Sequence, residues 1–179
     1  HEDVRRGEFD DSKEAHVNMM DFRFGDTESW FKDAFDLVRR FLREGGYRLY
    51  PSEISLPLEV SKKTTPTIKH CWNNMGWGYC PTNIPQWNQR YKVAFALLDD
   101  KNEVKKVFVD TQTDLSTWLK NKPTTYNFDL TLKGVSVGAY KWAVGLVDTT
   151  KDNTIGLRMA VKNNLLDSGW VKLMDITVK

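Results

Sequence analysis

The residues best placed to do chemistry in this chain are flat ones. The stretch from Cys71 through Trp72, Asn73, Asn74, Met75, Gly76, Trp77, Gly78 and Tyr79 to Cys80, followed by Pro81, Trp87 and Tyr91, gathers five large amphipathic rings on a turn-rich segment. Loops run over the surface, so some of Trp77, Tyr79, Trp87 and Tyr91 are expected to offer a face to solvent. A sugar ring presents an apolar C–H face and a rim of hydroxyls, which suits an aromatic platform flanked by amides and guanidinium. Those flanking groups are Asn73, Asn74, Asn83, Gln86, Asn88, Gln89 and Arg90. Each stacked sugar hides roughly 50 Å² of apolar surface, on the order of 1 kcal/mol at about 25 cal/mol/Å². Three such platforms with a few hydrogen bonds hold a polymer at roughly micromolar to millimolar strength. The pattern points to an oligo- or polysaccharide stacked on Trp77, Tyr79, Trp87 and Tyr91, with Asn88, Gln89 and Arg90 reading hydroxyls. The competing reading is that the rings cap one end of the fold, with Trp72 in the core.

Catalytic constellations are sparse. The chain has no Gly-x-Ser-x-Gly elbow, phosphate-cradling glycine loop, His-Glu-x-x-His or dinucleotide fingerprint. Glycosidases need two carboxylates roughly 5 to 10 Å apart across a cleft. Here the acidic residues sit mainly at turns (Asp99, Asp100, Asp148, Asp152, Asp167) or on a helix surface (Glu28, Asp33, Asp36, Glu44), where solvation explains them. No catalytic residue is expected. Three His and two Cys residues give no standard metal-ligand spacing, so no metal is assigned, although Asp and Asn in the turns 148–153 and 163–167 could hold a structural calcium ion. Cys71 and Cys80 either form a disulfide, which would pin the loop by roughly 2 to 3 kcal/mol and mark an oxidising compartment, or remain as two thiols.

The elements that must position the loop follow from hydrophobic period. With 179 residues the chain is long enough for one cored domain plus a lead-in segment. It divides into an extension over 1–45 and a β-domain over 46–179. In the extension, Val17, Met19, Met20, Phe22 and Phe24 make a short alternation that reads as a tail. After Asp26 or Thr27 as a cap, Trp30, Phe31, Ala34, Phe35, Val38, Phe41 and Leu42 recur at helical intervals, and Gly45-Gly46 ends the helix. That stripe must lie on a neighbour, either the following sheet or another domain. From Tyr47 the period is two, with strand candidates at 47–50, 53–60, 66–74, 90–99, 103–110, 124–132, 137–148, 154–162 and 170–178, and one helical turn near Leu115 to Lys120. Trp118, Trp142 and Trp170 are expected to be core. The fold class is therefore mainly β: an antiparallel β-sandwich, immunoglobulin-like or jelly-roll, preceded by one amphipathic α-helix.

A formal net charge of +2, from 26 basic and 24 acidic residues, gives no field that would track phosphates and argues against nucleic acid. No apolar run approaches the roughly 18 residues of a membrane span, so no membrane partner is expected. No signal peptide is visible, and His1 reads as a cut or processed end.

Four short motifs fall in a particular order: Gly46-Tyr47-Arg48, Trp72-Asn73-Asn74-Met75-Gly76, Gly138-Ala139-Tyr140 and Gly169-Trp170. In that order and spacing, over roughly residues 15–179, the chain resembles the C-terminal β-sandwich domain of unknown function appended to bacterial glycoside-hydrolase-like (β/α)-barrel proteins. The resemblance implies a polysaccharide-processing context and a non-catalytic, carbohydrate-binding-module-like role. It implies a catalytic glycoside-hydrolase domain as partner within the parent protein, and an extracellular, cell-surface or periplasmic location. It also implies that residues 1–45 are the trailing edge of a barrel. The alternative is a structural spacer that braces the barrel and has no ligand of its own.

Overall fold

The computed structural model describes residues 2–23 and 27–179. Two sheets face each other. The smaller has the order β1-β3-β6, built from β1 (Leu49–Ser55), β3 (Thr67–Asn74) and β6 (Thr124–Asp129). The larger runs β2-β9-β7-β4-β5, from β2 (Glu59–Val60), β9 (Val171–Val178), β7 (Gly138–Asp148), β4 (Tyr91–Leu98) and β5 (Val104–Asp110), with β8 (Thr154–Leu157) paired to β7. Neighbours are antiparallel except β2 and β9, which run parallel. β3 pairs with β1 on one side and with β6, the strand after β5, on the other, while the central strands of the second sheet come from the middle and late chain, which is the immunoglobulin-like arrangement. The region read as one strand over 53–60 is thus two strands in different sheets, because the chain changes layer at 56–58.

Alternation sets the core. On β3, Ile68, His70, Trp72 and Asn74 are buried while Thr67 and Lys69 are exposed. Trp72 stacks on Trp118 at 4.8 Å between ring centres and 15° between planes, and Phe95, Leu97, Leu115, Trp142 and Leu146 complete the interior. β4 alternates in neither polarity nor burial. Its Val93, Phe95 and Leu97 face the interior, and Ala94, Ala96 and Leu98 are covered by Trp170, brought over the sheet's outer side by the segment before β9.

The extension holds more helix than its sequence period announced. α1 (Glu2–Glu14) lies where a tail was expected, followed by a π-helical turn (Ser29–Asp33) and α2 (Phe35–Glu44). α1 is charged almost throughout, so it shows no apolar stripe; among its described side chains Phe9 is the buried anchor. Of the two expected caps, Asp26 lies outside the described residues, as does Phe24 of the short alternation, and the Thr27 hydroxyl donates backwards to the Arg23 carbonyl at 2.8 Å. Phe9, Trp30, Ala34, Leu37 and Val38 form a second small core.

Candidate binding loop and helical joint

The β3–β4 connection, residues 75–90, lies at the end of the sandwich where the helices arrive. Asn74 organises its start: the side-chain amide donates to the carbonyls of Gly78 (2.7 Å) and Trp118 (3.0 Å), and its oxygen accepts from the backbone N–H of Arg48 (3.0 Å) and Gly76 (2.9 Å). A run of backbone bonds then ties the loop to the segment leaving α2. Met75 N–H donates to Arg48 O at 3.0 Å, Trp77 N–H to Glu44 O at 2.8 Å, and Gly78 N–H to Gly46 O at 2.8 Å. The two chains run so close that a Cβ on Gly76 would lie 2.0 Å from the Gly46 carbonyl oxygen. Any side chain there would push the strands apart.

Trp77 is the pin of this joint. Its indole is 2% exposed, edge-on to Phe9 at 5.0 Å and tilted against Phe41 at 5.4 Å, and its ring N–H donates to Val17 O at 2.9 Å. His16 Nδ1 donates to Trp77 O at 2.7 Å and the Asn18 amide to Tyr79 O at 2.8 Å. The expectation that Trp77 offers a face to solvent is corrected: the helices supply an apolar lid that an isolated loop would lack. Tyr91 is also buried; the Arg90 guanidinium lies over its ring at 4.7 Å, and Arg90 Nε pairs with Asp148 at 3.5 Å. Tyr79 and Trp87 are half-buried, the latter edge-on to Tyr91 at 5.1 Å. Asn88 is exposed, Gln89 half-buried, and both hold left-handed backbone at φ 44° and 57°. The Gln89 backbone N–H donates to Thr82 O at 2.8 Å. The seven residues expected to form one ligand surface therefore divide: two interior rings, two half-covered rings, and polar groups partly engaged within the loop.

The cysteines are both unpaired thiols. Strand alternation turns Cys71 away from the interior, whereas Cys80 is buried in it, so no bridge joins them. Burial, partly offset by a hydrogen bond with the Tyr47 hydroxyl, pushes the Cys80 thiol up to about 12; burial and the thiol likewise push Tyr47 up to about 12.

A buried polar chain, which the sequence reading did not single out, runs behind the loop. Trp72 Nε1–H donates to His70 Nδ1 at 2.8 Å, so the imidazole proton sits on Nε2 and is donated to Asp110 at 3.0 Å. Asp110 also accepts from Gln112 N–H at 3.0 Å, and Tyr126 stacks on His70 at 5.3 Å while accepting from Trp118 Nε1–H at 2.8 Å. Both imidazole nitrogens are occupied and His70 is fully buried, so this His–Asp pair holds the two sheets in register and has no free nitrogen for a substrate. Its signal was legible: His70 and Trp72 share one face of β3.

Around the loop, carboxylates are held by turns. Burial raises Asp114, but bonds from the Ser116 hydroxyl and N–H, from Gln89 and from Thr82 outweigh it and leave the group below the ordinary carboxylate range. Asp148 is likewise raised by burial and brought lower overall by Thr150 and Arg90. Its oxygens are thereby engaged, in the turn where a calcium ion was considered. Among the described residues no three His, Cys, Asp or Glu side chains converge as a metal cage. No helix among them is long and apolar enough to cross a membrane.

No family model matches the chain, and no curated protein sequence matches it. Among solved structures it is similar to the solution structure of a CARDB domain from Pyrococcus furiosus, at 15% identity and TM-score 0.40, over 74% of this chain and 94% of that one. A crystal structure of that domain in complex with di-metal ions gives 19% identity and TM-score 0.36, over 74% and 89%. A Listeria innocua β-glucosidase in complex with glucose gives 14% identity and TM-score 0.38, with 74% of this chain matching 16% of the enzyme. At such identities and scores no activity or ligand is carried across.

Proposed function

We propose that the chain is a non-catalytic accessory module of a polysaccharide-processing protein, in which the sandwich is a rigid support and the helical segment braces it against a catalytic glycoside-hydrolase domain. The observation that supports this reading is the burial of Trp77: one of the aromatic loop's two indoles is used to fasten helices to sandwich. The polypeptide context and an extracellular, cell-surface or periplasmic location rest on the motif order Gly46-Tyr47-Arg48 through Gly169-Trp170. Calorimetry on a polypeptide joining this module to its catalytic domain tests the brace. Trp77→Ala is expected to lower the catalytic domain's own transition by roughly 2–4 °C for each kcal/mol of support lost. An unchanged catalytic transition would overturn the reading.

A second reading, polysaccharide binding, is supported by Trp87: its ring is half open and it is flanked in the loop sequence by exposed Asn83, Gln86 and Asn88. Affinity electrophoresis of the chain against β-glucans, xylans, mannans and galactans should then show retardation that Trp87→Ala abolishes. Equal mobility on every polymer would discard it.

A further inference from the structure

α2 carries more apolar surface than the molecule covers. Its inner side, Leu37, Val38 and Phe41 with Ala34 before it, packs on Phe9, Phe22 and Trp77. A second stripe remains open: Phe31 is 48% exposed, Phe35 40% and Leu42 70%. Phe31 and Phe35 touch at 6.0 Å between ring centres, so the break between the π-helical turn and α2 does not interrupt the stripe. Met19, 82% exposed, extends it beside a 280 Å³ hollow that Phe31 also lines. On α2 itself Phe35 and Leu42 lie seven residues apart, the spacing of a helix–helix seam, and the ring contact joins Phe31 to that seam. The rim is basic. Arg39 lies over the Phe35 ring at 5.0 Å, and neither Arg39 nor Arg43 has a carboxylate partner among the described residues.

We infer that this stripe is a docking surface for an amphipathic helix with an apolar seam and acidic flanks, presented by a neighbouring domain of the same polypeptide. The inference rests on the brace reading and names its contact. Phenylalanine, methionine and arginine are the side chains that protein interfaces favour, and two unpaired arginines beside an apolar seam call for carboxylates opposite. Four side chains fall short of the about 800 Å² per partner that a free-standing complex buries. A tethered neighbour, at an effective concentration on the order of millimolar, needs no more.

The test uses a synthetic Leu-seamed helix with Glu flanks and its Lys-flanked counterpart, each titrated into isotopically labelled chain and followed by NMR. The Glu peptide should shift Met19, Phe31, Phe35 and Leu42 and bind at least about tenfold tighter than the Lys peptide, and R39E/R43E should invert that preference. Phe35→Ser should weaken binding about tenfold, with unchanged Trp77 signals as the folding control. Equal affinity for both peptides, shifts elsewhere, or no binding would overturn the inference. So would a concentration-dependent dimer in sedimentation that Leu42→Glu abolishes, or tighter binding to phosphatidylserine vesicles than to the Glu peptide. Failure here with a lowered catalytic transition in calorimetry leaves the brace intact and moves its contact; an unmoved transition removes the brace itself.

Discussion

The interior of the sandwich and the joint beneath the helices are each built around an indole, and the two indoles sit differently. Trp72 is enclosed by two hydrogen-bonded sheets, stacked on Trp118, and bonded to a histidine that is itself bonded across to β5 through Asp110. Trp77 is enclosed by the helices and by the loop that carries it, outside the two sheets, and its ring N–H is satisfied by one backbone carbonyl. Loss of the first removes support from every layer; loss of the second removes the lid alone. Burial by itself therefore does not tell what a tryptophan does. What matters is how many independent elements close over it.

The sharpest way to break this contrast is to empty both sites. Trp72→Ala should cost about 3–5 kcal/mol in urea unfolding of the whole chain, because a cavity between the sheets cannot collapse. Trp77→Ala should strip hydrogen-exchange protection from α1 and α2 while β3, β4 and β7 amides keep theirs; uniform loss across all of them would merge the two regions into one cooperative unit. Asp110→Ala leaves the His70 Nε2–H and the Gln112 N–H without their acceptor, an expected loss of about 1–3 kcal/mol that should appear in the sandwich transition and not in the helices. The smallest effect concerns Cys80. Since its thiol is pushed from an ordinary 9.0 to about 12, the stabilisation it contributes is complete below pH 9 and drains away as pH rises towards 12. A thiol titration of the native chain at pH 8 should accordingly read Cys71 first and Cys80 only after unfolding.

Much of the sandwich was legible because its strands obey simple alternation. Residues 66–74, 90–99 and 103–110 were read nearly to their ends, and Trp72, Trp118, Trp142 and Trp170 lie inside as expected. Three features were not legible for physical reasons. α1 lacks an apolar stripe, so no period betrays it. The layer change at 56–58 depends on β9, more than a hundred residues away in sequence. The burial of Trp77 depends on Phe9 and Phe41, which arrive from elements that local pattern cannot place over a loop. Likewise the thiols of Cys71 and Cys80 are close in sequence, but only the pleat of β3 shows that they face apart.

The parallel pairing of β2 with β9 has a mechanical consequence. Thr177 N–H donates to Leu58 O at 3.2 Å, Lys179 N–H to Val60 O at 2.8 Å and Lys62 N–H to Lys179 O at 3.1 Å, all between strands that point the same way. Tension drawn between the start of β1 and the end of β9 would run along these strands, so the bonds would be sheared together instead of being unzipped in turn. Resistance to stretching would thus be concentrated in one short clasp at the sheet's margin.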